Sequence, residues 1–337
     1  MGTALIARKS ATVAALVVVL LACASAAPAA ERYAFLVTSA SGRSEYALKY
    51  QSWRTSFLTL LRVRFRYPDE RIVSLAEEES QPTRKPTREN VKAAFADLAR
   101  RASKDDEVFI FLIGHGTVGS SDDARFNLVG PDLTADEWAA LVDQLPSRVV
   151  FVNMASGSFP FLQKIAKPGR IVITATANPM QEYETVFPEY FLQAFGEGQA
   201  DIDKDGRVSI WEAFRYASAG VRRWFDERGQ LPTERPLLDD NGDGVGREAD
   251  DRQADGRQAV ADGPVAQVTY LRPEVAAVPA ADTALAALRS RRTEVQQQVD
   301  ALRARKPLMS DADYQAQLEA LLLELARIDR DIRARTP

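Results

Sequence analysis

The chain predicts an α/β fold, a parallel sheet with helices on both faces, and three observations carry that expectation. Short apolar runs alternate with stretches of helical periodicity from Tyr33 to Phe195. The runs are rich in Val, Ile and Phe without polar alternation, as strands buried on both faces require. The 337 residues are 46% hydrophobic and 27% charged, an ordinary globular composition with room for two modest domains.

Residues 1–30 read as a signal peptide: Arg8 and Lys9 precede the apolar run from Ala14 to Leu21, and small residues follow with cleavage options at Ala24 to Ala26 and Ala27 to Ala29. The run is well short of the roughly 20 residues of a spanning helix. The mature protein is therefore expected to be exported, to the periplasm or beyond. Leu20-Leu21-Ala22-Cys23 also resembles a lipobox, which would anchor the chain through a lipidated Cys23. Cleavage removes two of the 43 basic residues and none of the 47 acidic ones, leaving a net charge of −6. No clustered basic face suggests nucleic acid. Cys23 is the only cysteine, so internal disulfides, Cys-ligated zinc and thiol catalysis are excluded in the mature chain.

The predicted strands are Tyr33 to Val37, Arg71 to Leu75, Glu107 to Ile113, Arg148 to Asn153 and Arg170 to Ala175. Between them lie amphipathic stretches at Tyr46 to Phe65, Arg88 to Ala102, Thr134 to Leu145 and Ser158 to Ile165, the second opened by Thr87 as N-cap. Ligands of such sheets bind beyond the carboxyl ends of the strands, which directs attention to the turns after Ile113 and Asn153.

From Gly196 the chain becomes rich in Asp and Gly around one amphipathic helix, Ser209 to Glu227. The segment Asp201 to Glu212 satisfies every position of a twelve-residue calcium loop. Asp201, Asp203, Asp205, the carbonyl of Arg207, Ser209 and a bidentate Glu212 supply the hard oxygens, and Gly206 makes the bend. Ile210 matches the apolar position that pairs neighbouring loops. A degenerate copy follows, with Asp239, Asn241, Asp243, the carbonyl of Val245 and Asp250 in the ligand places. Arg247 at its ninth position cannot ligate, and Pro236 argues against an entering helix. The expected cofactor is Ca2+, in a region spanning 196–250.

Residues 251–281 read as an extended linker without a packed core, carrying one short strand near Val265 to Leu271. Residues 282–335 predict an antiparallel coiled-coil hairpin. Leu285, Leu288, Val295, Val299 and Leu302 keep heptad spacing before Pro307, and Tyr314, Leu318, Leu321, Leu325, Ile328 and Ile332 keep it after. Ser310 and Asp313 form an acidic variant of a capping box. The hairpin would pack on the domain, oligomerise the chain or dock a partner.

The only histidine, His115, stands between Gly114 and Gly116 directly after a buried strand. Imidazole is the usual proton acceptor for a nucleophile near neutral pH. The next parallel strand ends in the small-residue turn Asn153-Met154-Ala155-Ser156-Gly157-Ser158, within side-chain reach of His115. With Thr174-Ala175-Thr176-Ala177-Asn178-Pro179 after a third strand, these motifs resemble the legumain-like cysteine peptidases, relatives of the caspases, over residues 31–195. The resemblance implies a caspase-like sheet. It places His115 on the catalytic histidine, Gly114 and Gly116 with the glycines of the second turn at the oxyanion site, and Thr174 to Asn178 on the wall of the specificity pocket. The nucleophilic cysteine falls on Met154, whose thioether has no proton to lose and cannot form an acyl-enzyme.

The expectation is an exported calcium-binding protein with a pseudopeptidase domain. A peptide or protein ligand would be held at the relic site, with Asn178, Gln181 and Glu182 in its wall. The alternative is an active hydrolase using Ser156 or Ser158 with His115 as base.

Overall fold

The computed structural model describes residues 30–119, 123–181, 183–196, 198–250, 262–273 and 309–335, with isolated positions between 287 and 306. The predicted signal peptide and Cys23 lie outside the described residues, as do Glu182 and 251–261 of the predicted linker. The chain divides into two compact units, one ending at Pro273 and the other following it in sequence.

The first unit is α/β, as predicted. Its strands are β1 (Arg32–Thr38), β2 (Ile72–Leu75), β3 (Glu107–Ile113), β4 (Gly116–Val118), β5 (Ala124–Phe126), β6 (Leu133–Thr134), β7 (Arg148–Asn153), β8 (Arg170–Thr174) and β9 (Leu237–Asp239). Its principal helices are α1 (Ser44–Thr59), α2 (Arg88–Arg101), α3 (Ala135–Val142), α4 (Phe159–Ile165), α5 (Phe187–Ala194), α6 (Ile210–Asp226) and the short α7 (Pro264–Gln267). Six strands form one sheet in the order β2-β1-β3-β7-β8-β9, parallel throughout except for β9 against β8. The short strands β4, β5 and β6, which the sequence reading did not anticipate, form a separate antiparallel sheet just after His115.

Alternation along β3 explains why its sequence shows no polar alternation. Phe109, Phe111 and Ile113 enter one core with α1, α5 and α6, while Val108, Ile110 and Leu112 enter a second core with α2, α3 and α4. Each fully buried Phe or Leu contributes roughly 1.5–3 kcal/mol relative to exposure, so both faces demand cover. Local signals set the helix starts: the Thr87 hydroxyl accepts from Asn90 N, and Thr134 with Glu137 closes a full capping box on α3.

Two expectations about organisation are corrected. The acidic region does not stand apart from the α/β domain: α6 packs into the first core through Phe214, Val221 and Phe225, and β9 is the edge strand of the main sheet. Nor are residues 262–273 extended linker with a strand. Val265 lies in α7, only Tyr270 makes an isolated bridge, to Ser209, and Ala266 and Leu271 are wholly buried in the first core. Polar anchors from distant elements hold this segment: the Tyr67 hydroxyl donates to Leu271 O, and both Asp240 carboxylate oxygens accept amides at the start of α7.

In the second unit the described helix is α8 (Asp311–Arg335), with Ser310 Oγ accepting from Asp313 N as the predicted cap. The predicted first arm lies largely outside the described residues. Where it is described, Arg291 and Arg292 pair with Glu324 and Asp329 at 2.8 Å, and Val295, Val299, Tyr314 and Ile328 are buried. Among the described residues, no helix is long and apolar enough to cross a membrane.

Candidate functional site

Parallel pairing of β3, β7 and β8 brings the three sequence motifs to neighbouring strand ends, with Leu112 opposite Asn153 and Asn153 opposite Thr174. Gly114 has φ 132°, and a Cβ there would collide with the Ser39 side chain, whose hydroxyl accepts the His115 amide. A Cβ on Gly116 would lie 2.6 Å from the Ser156 carbonyl, so the two turns approach as closely as backbone permits. The glycines around His115 thus have a packing cause.

The His115 ring is half-buried, edge-on to Tyr46 at 4.7 Å and near Tyr50 at 5.9 Å between centroids. Burial pushes its pKa below the usual imidazole value, against the opposing pull of Glu184, which is itself paired with Lys49 at 3.0 Å. At neutral pH the ring is therefore uncharged and able to accept a proton.

The groups of the neighbouring turn offer nothing to activate. Met154 has no exposed surface and packs in the first core with Tyr50, Val186 and Phe187. The Ser156 hydroxyl donates to Gly116 O at 3.1 Å and accepts Gly116 N at 3.2 Å, tying the two turns together. The Ser158 hydroxyl accepts the amides of Ala175 and Thr176 and shares a hydrogen bond with Thr176 Oγ1. Among the described residues neither serine bonds to the imidazole. Thr174 is fully buried and donates to Thr176 O, whereas Asn178 is exposed and its side chain accepts Met180 N. Gln181 closes this loop, accepting Ala177 N on its side chain and Gly157 N on its carbonyl. Beside it Met180 and Tyr183 are 78% and 79% exposed.

The acidic loop at Asp201 is a second centre. Carboxylate oxygens of Asp201, Asp203 and Asp205 lie within 4.8 Å of one another, a group that could hold a metal ion. Asp201 accepts the amides of Asp205 and Gly206, Asp203 accepts Asp205 N, and Asp205 accepts Arg207 N. Glu212 Oε1 accepts the amides of Ile202 and Asp203, while its Oε2 and the Ser209 hydroxyl form the capping box that starts α6. Arg207 stacks its guanidinium on Tyr270 at 3.7 Å, and the Tyr270 hydroxyl donates to Asp205 Oδ2. Burial holds the Asp205 carboxyl above its ordinary pKa, with Asp201 and Glu212 adding repulsion, a cost that a bound cation relieves. Ile210 does not pair with the second loop; its amide donates to Thr269 O.

The second loop repeats the turn geometry but not the closing ligand. Asp239 accepts Gly242 N and Gly244 N, Asn241 accepts Asp243 N, and Asp243 accepts Val245 N. Asp250, expected at the last ligand position, instead pairs with Arg222 on α6. The reason lies in the exit path. Arg247 exchanges both backbone hydrogen bonds with Leu238, so the chain leaves extended, without the helical turn that would carry its twelfth residue back over the loop.

Sequence reasoning missed Glu234. It is 5% exposed, its two oxygens accept the amides of Val186 and Phe187 at the start of α5, and burial drives its pKa up to about 7. It borders a 260 Å³ cavity lined also by Val221, Arg222, Pro232 and Ala249. Only Pro232 and Pro236, which bracket the turn, mark it in the sequence.

No family model and no curated protein matches the chain. Among solved structures it is similar to the crystal structure of protein GSU0716 from Geobacter sulfurreducens, at a TM-score of 0.39 and 14% identity over 62% of this chain and 92% of that one. A likeness at that level carries neither a fold assignment nor an activity across.

Proposed function

We propose that this chain is an exported calcium-binding protein whose α/β domain resembles a legumain- or caspase-like peptidase deprived of its nucleophile, and that this domain serves as a binding or scaffold module. The observation that carries the reading is the fate of the nucleophile position. Met154 is part of the core, and the two serines that could replace it are committed to backbone amides and carbonyls. A hydroxyl must be free to lose its proton to a positioned base before it attacks a carbonyl. The resemblance is supported by the three motifs standing at adjacent strand ends. The exposed Met180 and Tyr183 beside Asn178 supply apolar contact for a peptide laid along these ends. The cluster at Asp201, Asp203 and Asp205 supports the calcium assignment through its all-oxygen donors. The C-terminal hairpin would tether or oligomerise the module.

A fluorophosphonate probe tests the reading against a serine hydrolase of the same fold. The purified protein should remain unlabelled. Labelling that disappears in Ser156→Ala or Ser158→Ala would overturn the pseudopeptidase.

A further inference from the structure

Three hydrogen bonds of the first acidic loop recur at the same positions in the second. In each, the first aspartate accepts the amide of the sixth residue, the third residue accepts the amide of the fifth, and the fifth accepts that of the seventh. In the first loop one further group completes the pattern: Glu212 Oε1 accepts the amides of the second and third residues, Ile202 at 2.8 Å and Asp203 at 3.3 Å. In the second loop the amides of the second and third residues, Asp240 at 3.0 Å and Asn241 at 3.3 Å, donate to Oδ1 of Asp262. Asp262 lies 21 residues beyond Asn241 and outside the loop altogether. It therefore occupies the place that Asp250 was expected to take.

Its second oxygen points to a ligand. The Asp262 side chain is 1% exposed, yet Oδ2 has no hydrogen-bond partner. Its nearest cation is Arg247, whose Nε forms an ion pair with Oδ2 at 3.4 Å without a hydrogen bond, leaving the oxygen incompletely satisfied. A buried carboxylate oxygen left in that condition costs free energy that a coordinated cation would recover.

We propose that the chain carries a second calcium site, formed by Asp239, Asn241, Asp243 and the Val245 carbonyl and closed by Asp262, which supplies from a remote segment the carboxylate that Glu212 supplies within the first loop. The proposal rests on reading Asp201 to Glu212 as a calcium loop, since the correspondence is drawn from it. Calcium accepts six to eight oxygens in flexible geometry, and a closing carboxylate from outside the loop satisfies it as well as one from an exiting helix. Asp262 adjoins Gly263 and α7, so the ion would fasten the 262–272 segment to the sheet edge at β9.

Calorimetric titration of the calcium-stripped full chain decides the matter. The expected stoichiometry is two ions for the wild type, one for Glu212→Gln, one for Asp262→Asn and two for Asp250→Asn. Two ions in Asp262→Asn with one in Asp250→Asn would overturn the assignment of the closing ligand. A single wild-type ion that Glu212→Gln removes would overturn the second site while leaving the first loop intact. No binding in the wild type would remove both. Should Asp262→Asn fail to fold, hydrogen exchange on Glu212→Gln serves instead. Calcium should then protect amides at 239–245 together with 262–266, and protection confined to 239–250 would overturn the proposal.

Discussion

If Met154 is a core residue, placing there the cysteine that legumain-like peptidases would carry should damage the protein rather than make it active. Met154→Cys deletes two carbons from a side chain with no exposed surface, packed with Tyr50, Val186 and Phe187. At about 0.8 kcal/mol for each buried methylene the transfer loss is roughly 1.5 kcal/mol. The cavity left behind, only partly filled by relaxation, brings the cost to about 2–3 kcal/mol. Urea denaturation of the two proteins, in chains whose Cys23 is replaced by serine, measures this directly. The melting temperature should fall by about 5 °C. Because the new thiol would be buried in that core, iodoacetamide should modify it slowly in the folded state. A loss below about 0.5 kcal/mol, on the scale of tolerated volume-conserving changes, combined with rapid alkylation and peptide turnover, would refute the reasoning and restore an open catalytic groove.

Other consequences follow from the same contacts. Each calcium site saturated at about 100 times its Kd adds about 2.7 kcal/mol to the folded state, and Glu212→Gln should remove one such increment from the calcium-induced rise in melting temperature; equal rises in both proteins would reject the first loop. Glu234 titrates near 7 in the folded protein against an ordinary 4.5. Its folded pKa is raised, so its contribution to stability is complete below about 4.5 and is lost as pH rises through about 7, by about 3 kcal/mol at 1.36 kcal/mol per unit. Denaturation between pH 5 and 8 at saturating calcium should show this slope in the wild type and a flatter one in Glu234→Gln; parallel curves would disprove it.

The main sheet was legible because its strands from Tyr33 to Ala175 are short, mostly apolar runs, and because α2 and α3 open on side-chain caps at Thr87 and Thr134. Boundaries at Glu107, Ile113, Arg148 and Asn153 agree with the strands to the residue. What the sequence hid depends on partners far along the chain. The three residues of β9 pair antiparallel with β8 across more than sixty residues, too short a run to signal a strand. Ala266 and Leu271 look like linker until α6 and Tyr67 are seen to receive them. The first acidic loop was readable because all its candidate ligands fall within twelve residues, one of them on the first turn of a helix. In the second, spacing pointed to Asp250, but the pairing of Arg247 with Leu238 carries the chain elsewhere, and the carboxylate that meets the loop amides belongs to Asp262. At the strand ends, His115 and its glycines were visible as a motif, whereas the engagement of Ser156 and Ser158 with backbone could be known only from the fold.

The central claim is that this scaffold holds its ligand without cutting it, and incubation of the purified, calcium-loaded protein with a peptide library, followed by mass spectrometry of bound and free fractions, tests it most directly. Intact peptides retained on the protein, with no new termini and with retention reduced by Met180→Ser and Tyr183→Ser, are the predicted result. New peptide termini that vanish in His115→Ala would contradict it.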